Sequence, residues 1–284
     1  MTSFDPYRLL TAPWRALPKV IIIGAMKSGT SSLYAYLRRH PDFVPPRKKE
    51  LHYWERSHLK PRLLYRADFP LRRDLKGGRI TGEASPGYLY HPHVARAISR
   101  ALPNVRLIAI LRDPATRAYS HWRHNVRRKV EDLPFSEAVL REVERANPSY
   151  ERLTRNRSHV GLAALQFGYV RRGYYAAHLG RYLRYFNREQ LLVLRAEDFF
   201  EDANSVVQRC FEHVGLQRHE IGTMKPVNVG RRGTILDELA TFDLLYKHFE
   251  LLNQGLYRLL NVDPWWPSNV DELLDREQLR QRSS

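Results

Sequence analysis

Residues 19–37 constrain this chain more than any other segment. Lys19 to Gly24 is a short apolar, β-branched run with Val20-Ile21-Ile22-Ile23 at its centre, the pattern of a strand buried on both faces. Ser28 to Arg39 reads as a helix with Leu33, Tyr36 and Leu37 on one face. His40-Pro41 ends it, because the residue before proline avoids helical geometry. Between strand and helix stands Gly24-Ala25-Met26-Lys27-Ser28-Gly29-Thr30-Ser31. A loop in that position turns backbone N–H groups outward at a helix N-terminus. Its glycines allow close approach to a ligand. Lys27 adds a point charge, and Thr30 and Ser31 add hydroxyl donors. Together they predict a phosphate cradle; the bland alternative is a Gly/Ser-rich turn before a helix.

The loop departs from the nucleoside-triphosphatase pattern G-x-x-x-x-G-K-[ST], in which lysine follows the second glycine. Here Lys27 precedes Gly29. The second strong strand, Val105 to Leu111, runs into Arg112-Asp113, and no carboxylate closes the strand itself. A Mg-dependent hydrolase wants an acid there. The loop therefore reads as an anion site with no obligatory metal.

The remaining elements follow the same alternation. Arg79 to Glu83 is a candidate short strand after Gly77-Gly78, and Leu191 to Leu194 another strand. Helices are expected over His93–Leu102, from Pro114 to about Lys129, over Tyr174–Phe186, over Ser205–Val214 closed by Gly215, and from near Ile235. In the last, Leu239, Phe242, Tyr246, Phe249, Leu252 and Leu256 fall at spacings of three and four. Glu50 to Tyr65 has an irregular helical pattern. Residues 130–168, polar and rich in Arg and Glu, read as one or two surface helices. Strands alternating with helices predict an α/β fold, a central parallel sheet flanked by helices, of the P-loop nucleotide-binding type. With no interior linker, one domain is expected over 1–284, with 1–18 as an N-terminal extension and 266–284 as a C-terminal tail.

Composition narrows the setting. The 284 residues and 43% hydrophobic content suit a globular domain with a sizeable core. No apolar run approaches the ~18 residues of a membrane span, and residues 1–18 have no apolar signal-peptide core. Cys210 is the only cysteine, so no intramolecular disulfide forms, and a cytoplasmic location is expected. The formal net charge of +17 favours polyanionic partners, among them nucleotides, acidic polysaccharides, anionic lipids and nucleic acids.

Two further segments can hold anions. Arg112 leaves a buried strand, and Ser120 lies about two helical turns into the next helix. Strand ends in open α/β sheets face the ligand crevice, and an arginine there grips phosphate bidentately. Taken alone, Arg112 reads equally well as an ion-pair partner of Asp113. In Asn228-Val229-Gly230-Arg231-Arg232-Gly233-Thr234, two glycines flank two arginines before a helix whose Thr234 and Asp237 have capping-box spacing. This suits another phosphate or a basic surface turn. His91-Pro92-His93 lacks acidic or cysteine partners, so no metal site is expected, and Trp265-Trp266 reads as packing before it reads as a sugar platform.

Together these segments resemble the sulfotransferases that use 3′-phosphoadenosine 5′-phosphosulfate (PAPS). Ile21-Ile22-Ile23-Gly24 through Lys27-Ser28-Gly29-Thr30 looks like the family's 5′-phosphosulfate loop. Leu111-Arg112-Asp113-Pro114 through Tyr119-Ser120 looks like its 3′-phosphate motif. Gly230-Arg231-Arg232-Gly233 resembles its late donor-binding loop, and Leu191 to Phe200 its strand and acidic turn. The likeness covers residues 19–265, weakly in the middle third. It is greatest to the carbohydrate branch, which includes heparan sulfate enzymes. That branch has a Lys-Glu-x-His-aromatic segment after the first helix, and this chain has Lys49-Glu50-Leu51-His52-Tyr53. In Gly82-Glu83-Ala84-Ser85-Pro86, alanine stands where heparan-acting members often carry lysine.

The resemblance implies PAPS as co-substrate, no metal, and a bacterial, cytoplasmic enzyme. The partners expected are the sulfate-donor nucleotide and a hydroxyl acceptor, a carbohydrate that can itself be acidic, with no nucleic acid. Glu50 is implied as the catalytic base, with His52 its rival, and Lys27 as the group stabilising the departing phosphate. Donor contacts are expected from Lys27, Ser28, Gly29, Thr30, Ser31, Arg112, Ser120, Arg231, Arg232 and Gly233. Two alternatives stay open at this point: a P-loop kinase using ATP and Mg, and a non-enzymatic polyanion-binding protein whose footprint is Arg47-Lys48-Lys49 and Arg127-Arg128-Lys129.

Overall fold

The computed structural model describes residues 5–59, 61–222 and 235–282. The chain divides into two compact units. One comprises 1–111, 156–160 and 181–229; the other comprises 112–155, 161–180 and 230–284.

The first unit holds the sheet. Its strands are β1 (Val20–Gly24), β2 (Gly82–Ala84), β3 (Arg106–Leu111) and β4 (Leu191–Arg195), all parallel in the order β2-β1-β3-β4. β1 is buried along its whole length, as its unbroken apolar run requires. The chain leaves β1 for β2 on one side and then crosses to β3 on the other. The strand order therefore reverses at β1, the place where open α/β sheets bind ligands at the strands' carboxyl ends.

The expected helix after β1 is Thr30–Leu37. It buries Leu33, Tyr34 and Leu37 against Val207, Cys210, Phe211 and Val214 of the helix Ala203–Val214. Each such side chain contributes roughly 1.5–3 kcal/mol on burial. Asp202 caps that second helix, accepting from the Ser205 N–H at 3.0 Å, and Gly215 closes it at φ +78. The short strand near residue 80 starts at Gly82. A Cβ on Gly82 would sit 2.4 Å from Val20 Cγ1, so the β1–β2 contact needs glycine there.

Glu50 to Tyr65 is not one helix. Residues 50–53 are extended or turned, a 3-10 segment covers Trp54–Leu59, and a helix covers Arg62–Ala67. The irregular apolar pattern reflects side chains held by different neighbours. Tyr53, Trp54, Tyr65 and Phe69 make one aromatic cluster, with centroids 4.8–5.0 Å apart.

The second unit is helical. Helix Pro114–Arg127 packs Ala115 and Ala118 with Phe242, Leu245, Tyr246 and Phe249 of the helix Leu239–Leu260. A 3-10 turn, Ile235–Glu238, precedes that long helix. Residues 130–168 depart from expectation, with four short helices: Phe135–Leu140, Glu142–Arg145, Asn147–Arg155 and Leu162–Phe167. Their acidic residues are not all on the surface. Glu131 is buried between Arg145 (3.1 Å) and the Tyr169 hydroxyl (2.8 Å), and Glu142 accepts from the Val170 and Arg171 N–H groups. Buried acids with full sets of donors look like surface residues in a sequence. Trp266 is buried beside Tyr175 and Tyr257, which makes it a packing residue.

Candidate functional site

The first unit brings together Lys27, Ser28, Gly29, Thr30, Ser31, Glu50 and His52. The loop leaves β1 with the Ala25 N–H bonded to Ile110 O at 2.7 Å. Gly29 stands at the N-cap of Thr30–Leu37 at φ +93, and no side chain caps the helix. The first-turn N–H groups of a helix have no intrahelical partners and point along its axis toward this loop. The dihedral favours glycine, and a Cβ at Gly29 would also stand a tight 3.1 Å from Phe200 Cε1. Ser28 is fully buried, and its Oγ has no hydrogen-bond partner among the described residues. An unsatisfied buried hydroxyl is costly, and a phosphate oxygen would satisfy it. Five described non-glycine residues have left-handed backbone: Lys27 (φ +70), Glu50 (φ +62), His52 (φ +50), Lys129 and Asn261. The last two lie at helix C-termini, where this conformation is ordinary. The other three are the residues singled out for chemistry, and strained backbone concentrates at such positions.

Lys49 joins the loop to the candidate base. Its Nζ donates to Ser31 Oγ at 3.0 Å and to Glu50 Oε1 at 2.5 Å. Glu50 Oε2 lies 3.3 Å from His52 Nε2, and His52 Nδ1 lies 3.2 Å from Glu55 Oε1. The imidazole thus bridges two carboxylates. Its hydrogen bonds to Glu50 and then to Glu55 push it up to about 10, against the desolvation of a partly buried ring. The hydrogen bond from His52, helped by Lys49, pulls Glu50 down to about 2. His52 is protonated on both nitrogens at neutral pH, while Glu50 stays ionised.

Glu55, which no sequence pattern singles out, is the outer member of this hydrogen-bonded series. A cleft of about 190 Å³ opens beside it, lined also by Tyr53, Trp54, His91, His93 and the arginines Arg62, Arg96, Arg100 and Arg157. His91 and His93, for which no metal role is expected, line this cleft. Among the described residues, no group of three or more His, Cys, Asp or Glu is arranged to hold a metal ion.

Arg112 and Ser120 belong to the second unit. Asp113 is the N-cap of Pro114–Arg127, accepting from the Thr116 N–H at 2.7 Å, with Tyr246 OH at 3.5 Å. One of its carboxylate oxygens is thus engaged by its own helix N-terminus. Arg112 keeps its backbone in place through its carbonyl, which accepts from Tyr175 OH at 2.9 Å. Ser120 is partly buried on the same helix. Arg231, Arg232, Gly233 and Thr234 lie outside the described residues. No helix among the described residues is long and apolar enough to cross a membrane.

Comparison with known proteins agrees with this geometry. The sulfotransferase domain profile matches residues 17–227. The membrane-associated sulfotransferase kil1 of Dictyostelium discoideum is 25% identical over 315 residues, covering 88% of this chain and 66% of that protein. Mouse heparan sulfate glucosamine 3-O-sulfotransferase 3B1 is 35% identical over 205 residues, covering 72% of this chain and 47% of that protein. The chain thus spans about half to two thirds of the length of these relatives. The crystal structure of a sulfotransferase from Alicyclobacillus acidocaldarius superposes with a TM-score of 0.68 at 30% identity, over 87% of this chain and 97% of that one. With a parallel sheet, a P-loop-type turn after β1, and both the profile and this structure matching over most of its length, the chain belongs to the sulfotransferase domain family.

Proposed function

We propose that this chain moves a sulfuryl group from PAPS to a hydroxyl of a carbohydrate acceptor that itself carries negative charge. One observation carries the reading: the Lys49 ammonium contacts both Ser31 of the phosphate loop and Glu50. Donor loop and candidate base are thereby tied within a few ångströms.

The donor set in this proposal is Lys27, Ser28, Gly29, Thr30 and Ser31 around the 5′-phosphosulfate, with Arg112 and Ser120 on the 3′-phosphate. Arg231, Arg232 and Gly233 are assigned to the donor on the sequence resemblance alone. The buried, unsatisfied Ser28 hydroxyl and the uncapped helix end supply donors of the kind an anion needs. We treat the two units as one sulfotransferase domain.

In the reaction, the acceptor oxygen attacks sulfur, the bond from sulfur to the bridging oxygen breaks, and its electron pair stays on the departing phosphate. Lys27 and the loop N–H groups stabilise that charge. Glu50 takes the acceptor proton. Held near 2, it is a weak base, suited to a transition state in which the proton moves late. His52 has no free lone pair while it bridges Glu50 and Glu55, which favours Glu50 over its rival. The arginine-lined cleft beside Glu55 supports an anionic acceptor. We place the reaction in the cytoplasm; the single buried Cys210 supports that setting.

The test is calorimetry with 3′-phosphoadenosine 5′-phosphate (PAP), then labelled PAPS with heparan sulfate, desulfated heparin and a neutral oligosaccharide. Tight PAP binding and label on the charged acceptors are expected. Absence of PAP binding, with activity on ATP and Mg, would overturn the reading.

A further inference from the structure

Glu83 is a buried carboxylate that the proposed chemistry does not use. It sits mid-way along β2 and is 1% exposed. It accepts from Tyr65 OH at 2.6 Å and from Ser85 Oγ at 2.9 Å, and it lies 3.4 Å from Tyr88 OH through each oxygen. Ser85 and Tyr88 look the other way too. The His52 N–H points at Ser85 Oγ (3.3 Å), and the Tyr53 and Trp54 N–H groups point at Tyr88 OH (3.0 and 3.4 Å). A backbone N–H only donates, so each hydroxyl oxygen must accept from it, and the one hydroxyl proton then goes to Glu83. Three consecutive amides, those of His52, Tyr53 and Trp54, are thus gripped by two hydroxyls that one carboxylate orients, starting two residues after Glu50.

We infer that Glu83 is a positioning residue for sulfuryl transfer: through Ser85 and Tyr88 it fixes the left-handed backbone that aims Glu50 and His52. The inference rests on the proposed role of Glu50. Left-handed backbone at Glu50 and His52 is unfavourable without outside restraint. The Glu50 N–H bond to Ala84 O (3.1 Å) and these hydroxyls provide that restraint. Ionised Glu83 satisfies all three hydroxyls at once. Protonated Glu83 becomes a donor, and one of Tyr65, Ser85 or Tyr88 must turn its own proton away. Burial holds this carboxyl up to about 7, opposed by the three hydroxyls and by the His52 charge. The other titratable groups that act on it are tyrosines, Tyr34 and Tyr182 besides Tyr65 and Tyr88, all shifted upward and neutral in this range.

The experiment compares the wild type with Glu83→Gln, Ser85→Ala and Tyr88→Phe. Two things are measured: amide hydrogen exchange over residues 51–54, and the pH dependence of kcat with PAPS and heparan sulfate. In the wild type, kcat should rise with pH through about 7, a range in which neither Glu50 nor His52 titrates. Glu83→Gln should lose that limb, lower kcat at least tenfold and leave PAP affinity within twofold. Ser85→Ala should speed exchange at His52 at least tenfold, and Tyr88→Phe at Tyr53, a residue-by-residue pattern that general destabilisation does not give. Unchanged exchange at those amides in both hydroxyl variants overturns the inference. So does a folded Glu83→Gln enzyme with wild-type kcat and pH profile. If the wild type transfers no sulfuryl group, the functional reading fails, and the exchange measurements still decide the role of Glu83.

Discussion

Lys49 Nζ lies 2.5 Å from Glu50 Oε1 and, through the same ammonium, 3.0 Å from Ser31 Oγ. A flexible lysine so placed acts as a strut between the phosphate loop and the carboxylate proposed to take the acceptor proton. Removing the carboxylate while keeping its shape is the sharpest check of that role. Glu50→Gln should lower kcat by about 10²–10⁴, the usual share of a general base. PAP affinity, measured by calorimetry, should stay within a few-fold. A near-normal kcat would exclude Glu50 as the base.

The donor side makes a different prediction. Lys27→Ala should cost about 2.7–4 kcal/mol of transition-state stabilisation, or about 10²–10³ in kcat. Arg112→Ala should instead weaken PAP binding by about 1.5–3 kcal/mol, the range for a hydrogen bond to a charged group, with less effect on kcat. Calorimetry and steady-state kinetics on both variants separate the roles. Equal effects on kcat and binding in the two would count against the division.

Much of the proposed site follows from the sequence. The strand, the glycines and Lys27 are local, and their chemistry follows from order along the chain. Glu50 and His52 were readable through resemblance. The irregular pattern of 50–65 hid the fact that both sit on left-handed backbone outside any helix. Glu55 and Glu83 were not readable. Their meaning lies in who donates to them, and those donors come from residues up to 18 positions away in sequence. The same holds for Glu131 and Glu142, whose burial turned an expected surface segment into part of a core. Only the structure shows Asp113 capping its own helix N-terminus.

The charge cluster also sets a pH dependence of stability. His52 is raised from 6.5 to about 10, so its contribution is complete below 6.5 and is lost as pH climbs towards 10. Glu50 is lowered from 4.5 to about 2, so its contribution is present above 4.5 and is lost as pH falls towards 2. Glu83 runs against the usual carboxylate. Raised to about 7, it costs stability as it ionises between 4.5 and 7, by roughly 3 kcal/mol for a fully buried group. Denaturant titrations from pH 4 to 10 should show stability declining from about pH 4.5 upward, first through Glu83 and then through His52. His52→Gln should flatten the part above 6.5, and an unchanged slope would count against the bridged imidazolium.

Gly87 offers a test of Glu55 that leaves Glu55 in place. A Cβ at Gly87 would sit 2.3 Å from Glu55 Oε1, with nothing but that carboxyl in its way. The end of a side chain yields more readily than backbone, so Gly87→Ala should fold with a small loss of stability and displace the carboxyl from His52. With one carboxylate partner gone, the His52 pKa should fall from its raised value, read by NMR titration of the ring. A ring that titrates as in the wild type would mean that Glu55 contributes nothing to holding it protonated.

The arginine-lined cleft offers a test of whether acceptor charge is read. Arg62, Arg96, Arg100 and Arg157 line one cleft, with Glu55 as the opposing acid, and all four arginines are exposed residues. An exposed guanidinium is screened by salt, so its share of acceptor binding should be visible as salt dependence. Arg96→Ala with Arg100→Ala, on adjacent turns of the helix Val94–Ala101, should raise the KM for heparan sulfate by about 10-fold or more, taking ~1–3 kcal/mol for two charge-assisted contacts. The slope of log KM against log salt should become shallower, and the KM for PAPS should not move. A neutral oligosaccharide that serves as acceptor should be used by wild type and variant alike. Arg127→Ala with Arg128→Ala removes the same charge from the second unit and serves as the control, because it lowers the overall positive field without touching the cleft. If both pairs shift the acceptor KM equally, the whole basic surface attracts the acceptor, and the cleft has no special part in recognising it.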